Sequence, residues 1–188
     1  MHHAVTRDAF FATMRSAALD PWRPFADKVC AWVEDIEGKI DAWKTSASAL
    51  PTQLIHGDLH YDNVLVEGDR ITGLLDFEFA ALDWRAMELA ICLSKYAGEA
   101  EPMAFLQPFV EGYAEHGVLT ADEVAAVPSL IILRILSNVV YFVGRALAKE
   151  DELSTLTKRI ETYCKRVDWL TANADALTAI MREHFLAA

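Results

Sequence analysis

Apolar residues recur every three to four positions through most of this chain, and the one long stretch that breaks the rhythm, Gln53 to Asp76, is also where its polar residues crowd. Helical spacing keeps one face of a segment in a core, whereas strands take short apolar or β-branched runs. Before residue 50, Phe10, Met14 and Ala17/Ala18 share a face. Pro24 suits the start of a longer helix carrying Phe25, Val29, Trp32, Val33, Ile36, Ile40 and Trp43. Thr45 to Pro51 reads as a connecting loop. Helices are expected again over Trp84–Ala97, Pro102–His116, Ala121–Ala148, Leu153–Leu170 and Ala172–Phe185. Gly117 would close one of them, Thr120 with Glu123 would make a capping box, and Pro128 would kink or split the long segment.

Between these helices Leu54-Ile55, Asn63 to Val66 and Ile71 to Leu75 are strand-like runs. Glu67-Gly68-Asp69-Arg70 is a turn signal, so the last two runs form a hairpin. The fold class is therefore mainly α with a small β-hairpin. It is one domain over 1–188: a helical lead-in to residue 50, a loop and hairpin over 53–83, and a helical subdomain over 84–188.

Charge and composition exclude several functions. The net charge of −11 disfavours nucleic acid and anionic membrane surfaces as partners, since both need a basic face. An acidic body accommodates a cationic small molecule. Cys30, Cys92 and Cys164 form no Cys-x-x-Cys pair and read as reduced thiols of a cytoplasmic protein. No leader is visible at the start. The most apolar run, Leu130 to Val143, is interrupted by Arg134, Ser137 and Asn138, and reads as a buried helix too short to span a bilayer.

The polar segment runs His56-Gly57-Asp58-Leu59-His60-Tyr61-Asp62-Asn63, then strand, turn, strand, and Asp76-Phe77-Glu78. With Gly68-Asp69 as the turn, Asn63 lies opposite Leu74 and Asp76 two residues beyond. Asn63 and Asp76 are then within roughly 7 Å, close enough to share one ion. An amide oxygen with a carboxylate is a hard oxygen pair suited to magnesium. Asp58, on the loop entering the hairpin, is placed to accept the proton of an attacking hydroxyl. A base beside a metal site is what phosphoryl transfer requires.

This pattern, His-x-Asp-x-x-x-x-Asn followed by a hairpin and Asp-Phe, resembles the aminoglycoside phosphotransferase, choline kinase and type II homoserine kinase group of kinase-like enzymes. Gly57, where protein kinases usually carry Arg, points to the small-molecule branch. The resemblance implies the large C-terminal lobe of a kinase-like fold, with Asp58 as catalytic base and Asn63 and Asp76 as Mg2+ ligands. It further implies ATP as co-substrate and a small-molecule hydroxyl, open to cationic compounds, as acceptor. It makes His56 a support beneath the metal loop and has Asp83, in Asp83-Trp84-Arg85-Ala86-Met87-Glu88-Leu89-Ala90, brace the loop backbone. His60 supports the loop, and Glu78 stands where protein kinases have glycine. Residues that bind the nucleotide base are not identifiable.

The eight glycines form no phosphate-gripping loop, and no strand before residue 50 carries a lysine for the phosphates. The N-terminal nucleotide-binding β lobe is thus missing, and the chain alone is expected to be impaired without a complementing N-lobe. Two alternatives stand beside this reading. One is a non-catalytic interaction or homo-oligomerisation module with an apolar docking face. The other is a metallophosphoesterase using His56, Asp58, His60 and Asp76, which would need further histidines where only His116 and His184 are left. The stripe Arg134, Asn138, Tyr141, Arg145 reads as an ion-paired or solvent-facing helix face in preference to a pocket wall. Trp84, Tyr96 and Tyr113 read as packing residues.

Overall fold

The computed structural model describes residues 5–45 and 49–186. Helix α1 (Arg7–Met14) starts at Thr6, whose hydroxyl accepts the Ala9 N–H, and a 3-10 turn (Ala17–Trp22) leads into α2 (Arg23–Thr45). Pro24 falls in the first turn of α2, where its missing N–H costs nothing. Of the loop expected from Thr45 to Pro51, residues 46–48 lie outside the described residues. Strands β1 (Thr52–Ile55), β2 (Val64–Glu67), β3 (Arg70–Leu74) and β4 (Ala81–Trp84) follow, then α3 (Arg85–Tyr96), α4 (Pro102–Ala114), α5 (Ala121–Leu147) and α6 (Leu153–Leu186).

The fold class is as expected, mainly helical with few strands, but the sheet differs in two ways. β4 had no signal in sequence, since Ala81-Leu82-Asp83-Trp84 neither alternates nor is β-branched. It forms because β1 needs a partner, pairing antiparallel from Thr52↔Trp84 to Ile55↔Ala81. The hairpin β2–β3 turns at Gly68-Asp69 as expected, yet carries a bulge. Val66 faces Ile71 but Leu65 faces Gly73, so Thr72 is the extra residue.

Helix α5 is the axis of the helical part, packed chiefly against α3 and α6. Its Leu130, Ile131, Ile135, Val139 and Val143 are almost wholly buried. Each such side chain contributes about 1.5–3 kcal/mol of burial. That exceeds the roughly 3 kcal/mol cost of an interior proline when summed along the helix. Pro128 therefore does not split α5. At 27 residues α5 is also longer than the apolar run suggested, and by length and composition it would suffice to cross a membrane. Here it packs between helices.

α6 is one 34-residue helix, not two meeting at Thr171. The polar residues there bond backward along the same helix: Thr171 Oγ1 donates to Val167 O and Asn173 Nδ2 to Trp169 O, both at 2.8 Å. Leu170, Leu177 and Met181 carry the buried stripe through. The capping box forms as expected, with Thr120 Oγ1 accepting from Glu123 N and Glu123 Oε2 accepting from Thr120 N at 2.8 Å. Glu123 also pairs with Arg85, tying α5 to the start of α3. Burial raises the pKa of all three free cysteines, that of Cys92 and Cys164 to about 12, so they are inert core thiols.

Candidate active site

The loop between β1 and β2 is held from three sides. From below, the buried carboxylate of Glu88, one turn into α3, accepts the His56 N–H. His56 Nδ1 accepts the Asp58 N–H at 3.3 Å, which leaves Nε2 to donate to Leu75 O at 2.8 Å. Both ring nitrogens are thereby spent on backbone, and His56 clasps the loop to the end of β3. From within, Asn63, only 9% exposed, donates Nδ2 to Asp58 O at 2.9 Å. Cys92 Sγ adds a bond to Leu59 O at 3.3 Å.

Gly57 makes the approach possible. Its φ of +80° lies in the left-handed region, and a Cβ there would fall 2.4 Å from Phe79 O. The chain can therefore turn from His56 to Asp58 while Phe79 lies directly against it.

The bulge then shifts the register at the end of the hairpin by one residue. With Thr72 looped out, Asn63 sits opposite Leu75, whose N–H donates to Asn63 O at 2.9 Å. Asp76 is thus the next residue rather than two beyond. Asp76 adopts φ 64°, ψ 62°, a left-handed conformation that Asp tolerates better than most residues but that still costs on the order of 1 kcal/mol. Asp58, Asp76 and Glu78 open onto a common cavity of about 690 Å³.

Its other walls come from the helices. Arg134 of α5 donates Nη2 to Asp58 Oδ1, and Asn138 and Tyr141 follow on the same stripe. Preference for an ion-paired stripe over a pocket wall was a false choice, because the two coincide. Arg134 pairs with Asp58 inside the cavity, while Arg145 pairs with Asp151 at the end of the helix. A long-range pairing of this kind leaves no trace in helical spacing. Lys95 of α3 and Arg159 of α6 complete the wall, and burial holds the Lys95 ammonium below its ordinary range. His60 lies between carboxylates, with Nε2 3.5 Å from Asp58 Oδ2 and Nδ1 3.3 Å from Asp62 Oδ2.

One expected role moves to another residue. Asp83 is exposed at the edge of β4 and accepts the adjacent Trp84 N–H at 2.7 Å. The carboxylate that braces the loop is Glu88, because α3 carries it inward beneath His56 while β4 leaves Asp83 facing water. Trp84 stacks edge-on to Trp43, with ring centres 5.3 Å apart, and Tyr96 stacks on Phe105 at 5.4 Å, so both pack as expected.

Magnesium fits the hairpin end. With its amide nitrogen on Asp58 O, Asn63 keeps Oδ1 available, and Asp76 adds a carboxylate that no described cation pairs. Few protein oxygens with phosphates and water filling the rest is the usual magnesium arrangement. The metallophosphoesterase alternative, with His56, Asp58, His60 and Asp76 as ligands, finds no support: among the described residues no three His, Cys, Asp or Glu side chains gather to hold a metal.

Comparison with known proteins agrees with this geometry. Residues 2–125 match the family model described as the phosphotransferase enzyme family (APH). This chain belongs to that family. Among relatives of the family it is 34% identical over 177 residues to a homoserine kinase of Sinorhizobium fredii, across 79% of this chain and 52% of that protein. It is 38% identical over 136 residues to a homoserine kinase of Beijerinckia indica, across 65% of this chain and 42% of the relative. In structure it resembles a microcompartment-associated aminopropanol kinase, with a TM-score of 0.61 and 19% identity over 82% of this chain and 47% of that one. The chain therefore has a kinase-like fold without a full N-terminal lobe, and spans about half the length of the curated relatives it matches.

Proposed function

We propose that this chain is the metal- and acceptor-binding half of an ATP-dependent kinase acting on a primary hydroxyl of a small amino alcohol. The observation that carries the reading is that Asp58 and Asp76 line one cavity, while Asn63 is bonded to the Asp58 backbone on one side and to Leu75, the neighbour of Asp76, on the other. The names of the relatives, homoserine kinase and aminopropanol kinase, favour an amino alcohol as the acceptor class.

In this reading the acceptor oxygen attacks the γ-phosphorus of ATP as the bond to the ADP oxygen breaks, and Asp58 takes the hydroxyl proton. Arg134 fixes the Asp58 carboxylate through Oδ1, and Oδ2, with His60 Nε2 3.5 Å away, would take the acceptor's proton. Asn63 Oδ1 and Asp76 would hold magnesium, which supplies charge neutralisation on the phosphates. His56 and Glu88 keep Asp58 in place through the loop backbone.

The nucleotide-gripping elements have no counterpart among the described residues. They would come from a longer chain or a complementing partner, in the cytoplasm where Mg-ATP is abundant. Large apolar side chains left in water on the strands, with Leu82 76% and Ile71 69% exposed, support cover of that kind.

Calorimetric titration of Mg-ATP into the 188-residue chain tests the reading, with Asp76→Ala as control. Heat that the substitution abolishes is the expected outcome. Binding that survives Asp76→Ala would place the nucleotide elsewhere and remove the assignment.

A further inference from the structure

The chain has 17 Lys and Arg against 28 Asp and Glu, and most of the cations that leave the open surface are spoken for. Arg23 pairs with Asp20, Arg85 with Glu123, Arg145 with Asp151 and Arg166 with Glu99. Lys95 breaks this habit. Lys95 is half-buried in the cavity wall, yet no described carboxylate lies within ion-pairing distance of its ammonium. Arg159, exposed at the rim of the same cavity, lies over the ring face of Phe142, with its guanidinium carbon 5.0 Å from the ring centre, and its charge reaches Asp151. Arg134, between them on α5, keeps its Nε buried and without a partner among the described residues. Withdrawing an ammonium from water without a counter-charge is costly, and in a chain so rich in carboxylates the vacancy is conspicuous.

The same cavity is lined by Asp58, Asp76 and Glu78, and of these Asp58 is already paired with Arg134. A cavity with cations on its helices and carboxylates at the hairpin end complements a molecule bearing both charges. The acidic residues face the phosphate, its metal and an ammonium, and the cations are left for an anion on the acceptor itself.

We propose that Lys95 and Arg159 form a carboxylate-binding subsite that selects amino alcohols bearing a carboxylate over those without one. Lys95 supplies the half-desolvated charge, where attraction is stronger than in water, and Arg159 closes the rim with a planar donor pair. The inference rests on the cavity being the acceptor site of the kinase proposed above, and it makes both residues specificity determinants.

L-homoserine and 3-aminopropan-1-ol differ only by the carboxylate, which makes them a matched pair of probes. Each is titrated calorimetrically, without nucleotide, into the 188-residue chain and into Lys95→Met, Arg159→Met and the double variant, with melting temperature confirming the fold. L-homoserine is expected to bind at least about 10-fold tighter than 3-aminopropan-1-ol, the worth of one charge-assisted contact. The double variant is expected to lose that preference through homoserine alone, and Lys95→Arg to restore part of what Lys95→Met loses. Should Lys95→Met not fold, Arg159→Met and the parent's preference decide. Equal affinities in the parent chain, binding of neither probe, a preference that outlasts the double variant, or equal weakening of both probes would each overturn the subsite. Mg-ATP heat without discrimination sinks the subsite and spares the kinase reading, whereas discrimination without Mg-ATP heat does the reverse.

Discussion

At residue scale the site depends on a few side chains whose properties are local but whose meaning is not. Gly57 is required twice over, by its left-handed φ and by the carbonyl of Phe79 lying where a Cβ would sit. Gly57→Ala is therefore expected to cost about 1–3 kcal/mol from backbone strain, with the clash shifting Asp58 besides. A lowering of the melting temperature by roughly 2–10 °C, followed by circular dichroism, would report it. An unchanged melting temperature would show that the turn relaxes without penalty. Asp76 accepts a similar left-handed strain without being glycine, which is a common mark of a residue held for its side chain.

At element scale, α3 and α5 cooperate through Glu123, which is wholly buried, caps its own helix and pairs with Arg85 of the neighbouring one. Removing the carboxylate abolishes the reciprocal cap and leaves Arg85 without its partner. Because Arg85 stays a quarter exposed and can turn to water, the loss falls below that of a fully buried pair. Glu123→Ala is expected to cost about 2–3 kcal/mol, or roughly 4–10 °C of melting temperature, and Glu123→Gln less, since it can still accept from Thr120. A shift below about 1 °C in Glu123→Ala would mean that the helices are held by packing alone. The bulge at Thr72 works at the same scale: one extra residue resets which side chain stands beside Asn63.

At the scale of the whole molecule, the helical half is packed while the strands are left in water. Leu54, Val66, Ile71, Phe77 and Leu82 are all exposed, an unusual sum of large apolar side chains for so small a β element. Surface of this kind binds hydrophobic dyes and promotes self-association. Replacing Ile71 and Leu82 together with Ser is expected to reduce dye fluorescence and the sedimentation-velocity dimer fraction, with melting unchanged within about 0.5 kcal/mol per substitution. A large drop in stability instead would show that these residues support the core of this chain.

The sequence by itself determined the helical character, the hairpin with its Gly68-Asp69 turn and the capping box at Thr120. All of these depend on residues within a few positions of one another, where periodicity, turn chemistry and motif spacing act directly. Only the tertiary structure decided the rest. β4 exists because β1 pairs with it, α6 continues past Thr171 because its buried stripe does, and the Thr72 bulge resets a register that counting from the turn placed one residue away. Glu88 rather than Asp83 braces the loop, and Arg134 reaches Asp58 across 76 positions of chain. The pairing of β1 with β4, the Glu88 brace and the Arg134–Asp58 pair join residues far apart in sequence, and what brings them together is the packing of the elements around one core, which no local pattern encodes.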